Sequence, residues 1–381
     1  MSIDNKQLNW AMAIVAQAGA GVPYVEGIPG DAKTAIMQVF AEKLGRKFFQ
    51  HILSQQVPED VIGVPRIAKT TIAGKEYECV EYVQSRVMLE AIHGHTFVCL
   101  DELPHAKPAV QAANQEVWLN NTPPNAMVVA LGNPADLATD YNEFAAPVVN
   151  RMCMLKWESM DDLWDHGMRT GEWLAPDFPV LPDNWDEYKI KWTNMVLEFK
   201  QDASGMKHFE VHSTYPTNDE QKSEPWCSKR SWENAAICLG AAESVGATKD
   251  TAMKILAGFV GEGPATEFMA WYESLGFPSA KSMFDNPKAM RLPRQFAPAH
   301  AIVRGVVAHS RNEISSANGE AGEVFEKAVD FLDELHLINP ELASAARDSI
   351  ISMKPRGYSE KLRNSKRVIE SQNAAAAVSM N

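Results

Sequence analysis

Gly27-Ile28-Pro29-Gly30-Asp31-Ala32-Lys33-Thr34 is the stretch on which the reading of this chain turns. Before it lies Val22–Glu26, a short apolar run that reads as a strand. After it, Ile36, Val39, Phe40 and Leu44 share one face of a helix over Thr34–Leu44, which Gly45 stops. A glycine loop between a strand and a helix start offers backbone N–H groups and the positive end of the helix to an anion. The pattern is that of a phosphate cradle built by Gly27, Pro29, Gly30, Asp31 and Ala32. In it Lys33 reaches the β- and γ-phosphates and the Thr34 hydroxyl ligates magnesium. Ala32 stands where the usual pattern has its second glycine. Alanine prefers negative φ, so the loop must tolerate it. A Gly-Pro turn with an incidental Lys-Thr is the competing reading, and the strand and helix flanks argue against it.

Working outward, Lys47–Leu53 reads as a second strand, and Thr96–Leu100, Met127–Leu131 and Met152–Trp157 are three more, each a nearly continuous apolar run, alternating with helical segments. Near-continuous apolar strands are buried on both faces, which predicts an α/β three-layer αβα domain with a five-stranded parallel sheet. Phe97-Val98-Cys99-Leu100 runs into Asp101-Glu102 about 70 residues beyond the loop. Asp101 is placed to hold magnesium and Glu102 to polarise an attacking water. Met127–Leu131 ends in Gly132-Asn133-Pro134, and the Asn133 amide can sense a terminal phosphate. A plain Asn-Pro turn is the alternative there.

Three other regions complete the organisation. Arg66–Ile72 and Lys75–Val80 are β-prone runs about Ala73-Gly74, a hairpin inserted at about 63–83 before a helix at Ser85–Ile92. Residues 157–226 are rich in Trp and Pro, with a helix near Asn184–Gln201 and a polar loop from Asp202 to Glu224. Their tryptophans read as packing anchors, with a ligand box as the competing reading. From Ser231 the pattern is helical, over roughly 231–245, 249–260, 265–275, 297–310, 320–336 and 340–352. The expected division is an α/β domain over 1–226, an all-α lid over 227–353 and a basic tail over 354–381.

The formal net charge is −13, and with the tail near +4 the body lies near −17. Such a body disfavours broad nucleic-acid binding, which needs clustered Lys and Arg. The five cysteines are scattered without metal-ligand spacing, which fits a reducing compartment. The start lacks a basic, apolar leader and no run is long enough to span a membrane, so a cytoplasmic chain without membrane contact is expected. His93-Gly94-His95 has no third ligand nearby and reads as a turn.

As a set, the loop, the acidic strand, the asparagine strand and Ala146-Pro147-Val148-Val149-Asn150-Arg151 resemble the MoxR-like AAA+ ATPases. Pro58-Glu59-Asp60-Val61-Ile62-Gly63 is similar to that family's segment after the second strand, and the hairpin sits where the family carries its helix-2 insertion. Cys227-Ser228-Lys229-Arg230-Ser231-Trp232 is similar to its second sensor, and Val260-Gly261-Glu262-Gly263 with Glu267-Phe268 to the lid of a subgroup. The resemblance covers roughly residues 5–310. It implies ATP and Mg2+ as cofactors, Arg151 as a finger acting on a neighbouring subunit, and Arg230 contacting the γ-phosphate from its own lid. It also implies a homo-oligomeric ring, a hexamer, and a protein partner that in this family often carries a von Willebrand factor A domain. One departure is Asn120–Asn125, which leaves only a short turn where related families insert a hairpin. Two other classes stay compatible with the sequence: a nucleic-acid-handling motor with Lys69 and Lys75 lining a pore, and a nucleotide-gated scaffold with little turnover.

Overall fold

A computed structural model describes residues 3–137, 141–157, 161–172, 177–210, 214–276, 280–293, 296–317 and 321–355. The basic tail beyond 355 lies outside the described residues. Among the described residues seven strands form: β1 (Val22–Glu26), β2 (Lys47–Ile52), β3 (Val64–Ile72), β4 (Lys75–Val83), β5 (Thr96–Asp101), β6 (Ala126–Gly132) and β7 (Met152–Lys156). Five make one parallel sheet in the order β2-β5-β6-β1-β7. This order places the loop-bearing β1 beside β6, and β6 beside the acidic β5. It is the P-loop αβα arrangement expected from the sequence.

Side chains alternate across the sheet, and each set finds its own helices. Val98, Leu100, Val128 and Ala130 pack with Met88, Ala91, Val110, Ala113 and Val149 from the helices at 86–93, 108–114 and 146–149. On the other face Phe97 meets Phe40 of the helix Lys33–Lys43 edge-on at 5.4 Å, and the Cys153 thiol lies against Ile255 of the helix Lys249–Val260. β2 lacks the continuous apolar run of the central strands. It is an edge strand, and its side chains are only half covered. All five cysteines are free thiols, and Cys99 and Cys153 are pushed up in pKa by full burial.

β3 and β4 pair along their whole lengths, and Ala73 and Gly74 turn the hairpin with φ of 50° and 78°. Both positive angles fit the primed turn that matches strand twist. Nearly every hairpin side chain is exposed, including the facing pair Ile67 and Val80 at 79% and 61%. Arg66 is paired with Glu81 at 3.1 Å and Lys69 with Glu76 at 2.8 Å.

The chain divides into two compact units. The first comprises 1–180, 207–238 and 247–266; the second comprises 181–206, 239–246 and 267–381. The second unit is all-helical, with Phe284, Val306, Phe325, Phe331, Leu335 and Ile350 at its core. Its helix Lys189–Gln201 carries Trp192 and Phe199, which pack on Tyr272 and Trp271 at 4.9 and 5.3 Å. The 202–224 stretch is not wholly a loop: short helical turns form at Met206–Phe209 and Asp219–Lys222. Among the described aromatics of 157–226, only Trp164 and Tyr215 are exposed. No described helix is long and apolar enough to cross a membrane.

Candidate functional site

The loop leaves the C-terminal end of β1, and its helix opens at Lys33. Gly30 turns the loop at φ 83°, and Ala32 follows at φ 54°, ψ 17°, a left-handed conformation rare for alanine. The Lys33 side chain folds back over this curve and is 8% exposed. Its ammonium donates to the Gly27 and Ile28 carbonyls, both at 2.7 Å, and to Asn133 Oδ1 at 3.2 Å. All three acceptors are neutral. Burial therefore holds Lys33 below the ordinary lysine pKa, against the opposing pull of the Asp101 and Asp31 carboxylates.

Thr34 Oγ1 donates to Asp101 Oδ2 at 2.9 Å, joining the loop to the end of β5. The same oxygen accepts from Gln50 Nε2 at 2.8 Å, and Asp101 Oδ1 accepts from the Glu102 amide at 3.0 Å. Glu102 takes a left-handed backbone, φ 59°, which turns the chain sharply at the strand end. Its carboxylate accepts a short hydrogen bond from the Ser54 hydroxyl, in the turn Leu53–Gln55 after β2. Lys33, Thr34, Asp101, Glu102 and Asn133 thus converge at the C-terminal ends of β1, β5 and β6. Sequence reasoning passed over Gln50 and Ser54. A polar Gln following the Phe48-Phe49 pair of β2, and a hydroxyl just past the strand, are the signals that could have found them.

Arg151 and Arg230 lie elsewhere. The Arg151 carbonyl accepts from Val22 N at 2.9 Å, at the N-terminal end of β1. Five residues of strand put that point about 16 Å from Gly27. The Arg151 guanidinium points away, donating to Asn120 Oδ1 and the Pro147 carbonyl. Ser228 donates to Asn150 Oδ1, which brings the start of the helix Lys229–Ser244 to the same place. Burial, and then the nearby Arg230 charge, lower the Arg151 pKa, while Glu116 opposes them. The structure sets Arg230 beside Arg151 and not beside Lys33.

The donor set suits a magnesium polyphosphate. A buried ammonium held only by neutral acceptors lacks an anion, and a hydroxyl with one carboxylate supplies hard oxygen to a cation that keeps other ligands. No cluster of three or more His, Cys, Asp or Glu able to hold a metal occurs among the described residues.

No family model matches the chain, and no curated protein does. Among solved structures it is similar to a provisionally assigned ATPase from Cytophaga hutchinsonii, at 14% identity and a TM-score of 0.40, covering 68% of this chain and 84% of that one. A likeness of that size adds nothing to what strand order and loop geometry already establish.

Proposed function

We propose that the chain is a Mg2+-dependent ATPase of the AAA+ type, close to the MoxR-like group, that remodels a protein partner from within a homo-oligomeric ring. The observation that carries the reading is the anion-free Lys33 ammonium, buried one residue from the Thr34–Asp101 hydrogen bond. In this reading Gly27 through Thr34 wrap the phosphates, and Lys33 exchanges its carbonyl acceptors for phosphate oxygens. Thr34 and Asp101 hold Mg2+, which when bound neutralises charge developing on the phosphates. Asn133 orients the terminal phosphate. Glu102 polarises the attacking water once released from Ser54, so the Ser54 hydroxyl acts as a brake on turnover.

Arg151 and Arg230, set together about 16 Å along the sheet from the loop, act in this reading on the nucleotide of a neighbouring copy. That replaces the expectation that Arg230 serves its own site. The partner is proposed to be a protein engaged through the hairpin at 64–83, of the kind that carries a von Willebrand factor A domain. The hairpin's Arg66 and Lys69 are matched by Glu81 and Glu76, leaving little free positive charge for a phosphate backbone. Its exposed Ile67 and Val80 suit an apolar polypeptide.

The test compares two variants. Lys33→Ala is expected to lose ATP binding, while Glu102→Gln keeps ATP and Mg2+ but stops hydrolysis. A pull-down with Glu102→Gln in ATP should retain a protein that Lys33→Ala does not, with or without nuclease. Recovery of nucleic acid alone would replace remodelling with a nucleic-acid motor. Unchanged ATP affinity in Lys33→Ala would remove the ATPase reading itself.

A further inference from the structure

We infer that Trp157 forms the nucleoside side of this site, its indole N–H donating to the sugar or base of the bound nucleotide. The inference rests on the ATPase reading above and names a residue that neither loop nor acidic strand supplies. Trp157 follows directly on β7, and its backbone N–H donates to the Glu26 carbonyl at 2.6 Å, one residue before the loop. A Cβ built on Gly27 would lie 2.4 Å from Trp157 Cβ, 3.0 Å from Cγ and 3.1 Å from Cδ1. Gly27 is therefore a glycine because the indole fills the space beside it. Cδ1 is bonded to Nε1, so the edge turned to the loop is the one carrying the donor.

That donor has no acceptor among the described residues. Trp157 is 8% exposed, and its Nε1 is buried without a hydrogen-bond partner. Three other tryptophans are satisfied: Trp192 donates to Glu243 at 2.7 Å, Trp226 to the Ala146 carbonyl at 3.2 Å and Trp232 to the His208 carbonyl at 3.3 Å, whereas Trp10 Nε1, far from Trp157 along the chain on the first helix, is also buried without a partner. A buried indole N–H ordinarily finds such a partner, and leaving one unpaired forfeits its solvation without return. Strand order says which part of a nucleotide would supply the acceptor. The groups proposed for the terminal phosphate, Asn133, Asp101 and Glu102, end β6 and β5 on one side of β1. β7 lies on the other side. A triphosphate anchored over β6 leaves the loop toward β7, which brings its nucleoside to Trp157.

The experiment compares ATP with inorganic tripolyphosphate, which keeps the phosphates and lacks the nucleoside. Trp157→Phe keeps an aromatic ring against Gly27 and removes the donor along with part of the indole. It is expected to weaken ATP about five- to tenfold, the worth of one hydrogen bond, while tripolyphosphate affinity stays unchanged. In 15N-tryptophan-labelled wild-type protein, one indole resonance should move with ATP and not with tripolyphosphate, and it should be the one missing from Trp157→Phe. Equal loss for both ligands would reduce Trp157 to a support for the loop and overturn the inference, as would an indole signal that ignores ATP. If Trp157→Phe does not fold, the wild-type ATP-against-tripolyphosphate comparison decides, since among the described residues Trp157 is the tryptophan packed on the loop glycine. Failure of the ATPase reading shows separately, as Lys33→Ala binding both ligands like the wild type.

Discussion

Lys33 and Lys191 are both buried lysines, at 8% and 2% exposure, and their surroundings are opposite. Lys191, in the helical unit, has a carboxylate: its ammonium lies 2.8 Å from Glu243 Oε1, whose other oxygen takes the Trp192 indole N–H. Burial alone would lower Lys191, but the charges and hydrogen bonds of Glu243 and Tyr272 together outweigh it and raise Lys191 above the ordinary lysine value. Lys33, in the α/β unit, is given only carbonyl and amide oxygens, and burial lowers it. A buried cation with its anion supplied is a structural element. A buried cation whose anion is withheld is the signature of a site that receives one from outside.

Stability should separate the two most strongly. Glu243→Gln strands the Lys191 charge, and breaking a buried pair from one side costs about 3–5 kcal/mol. Adding Lys191→Met to it should recover most of that loss. Lys33→Met is expected to be neutral or mildly stabilising, because it removes an uncompensated charge, even though it abolishes ATP binding. Urea unfolding of the four proteins checks this. A Lys33→Met loss as large as that of Glu243→Gln would mean that the loop lysine is structural and the contrast false.

Titration sharpens the same contrast. A lysine whose folded pKa is lowered binds fewer protons folded than unfolded between that value and about 10.4, so Lys33 makes stability rise with pH over that window. Binding runs the other way. If the protonated form receives the triphosphate, ATP affinity falls with pH above the lowered value, approaching tenfold per unit. Lys191 has the raised sense: its contribution is complete below about 10.4 and is lost only as pH climbs through its higher folded value. Isothermal titration with ATP over the alkaline range, beside unfolding of the free protein, should show these opposite slopes. The affinity slope should vanish in Lys33→Arg if that variant binds at all.

The sheet was legible because buried parallel strands leave continuous apolar runs, as at Phe97–Leu100 and Met127–Leu131, and because Gly27–Thr34 needs a strand before it and a helix after it. The edge strand was read less well: Lys47–Ile52 is half exposed, and Gln50 and Ser54 on and after it touch Asp101 and Glu102. A glutamine or serine in a polar setting carries no pattern of its own, and only parallel pairing of β2 with β5 puts them at the acids. The placement of Arg230 beside Arg151 was illegible for a related reason. It depends on Ser228 meeting Asn150 across 78 residues, a contact with no local signature. The 157–226 tryptophans gave up their packing role to composition, but whether each N–H has a partner is a fact of tertiary structure alone.

The smallest effect concerns backbone strain, where the two units differ as their lysines do. The non-glycine residues with positive φ among those described are Ala32, Ala73 and Glu102, all in the α/β unit. In the helical unit the corresponding positions, Gly246 and Gly276, are glycines. Two of the three strained residues flank the proposed phosphate site, so the loop carries strain as well as an unpaired charge. A left-handed alanine costs about 1–2 kcal/mol, and glycine's looser unfolded chain returns about 0.5–1 kcal/mol of any relief. Ala32→Gly should therefore stabilise the free protein by roughly 0.5–1 kcal/mol. It should also weaken ATP two- to threefold, because a loop free to leave the curved conformation must be ordered again on binding. Unfolding and binding measured on one preparation test both halves. A less stable Ala32→Gly would show that the curve at Ala32 is relaxed. Greater stability with tighter ATP binding would show that its strain does nothing for the site.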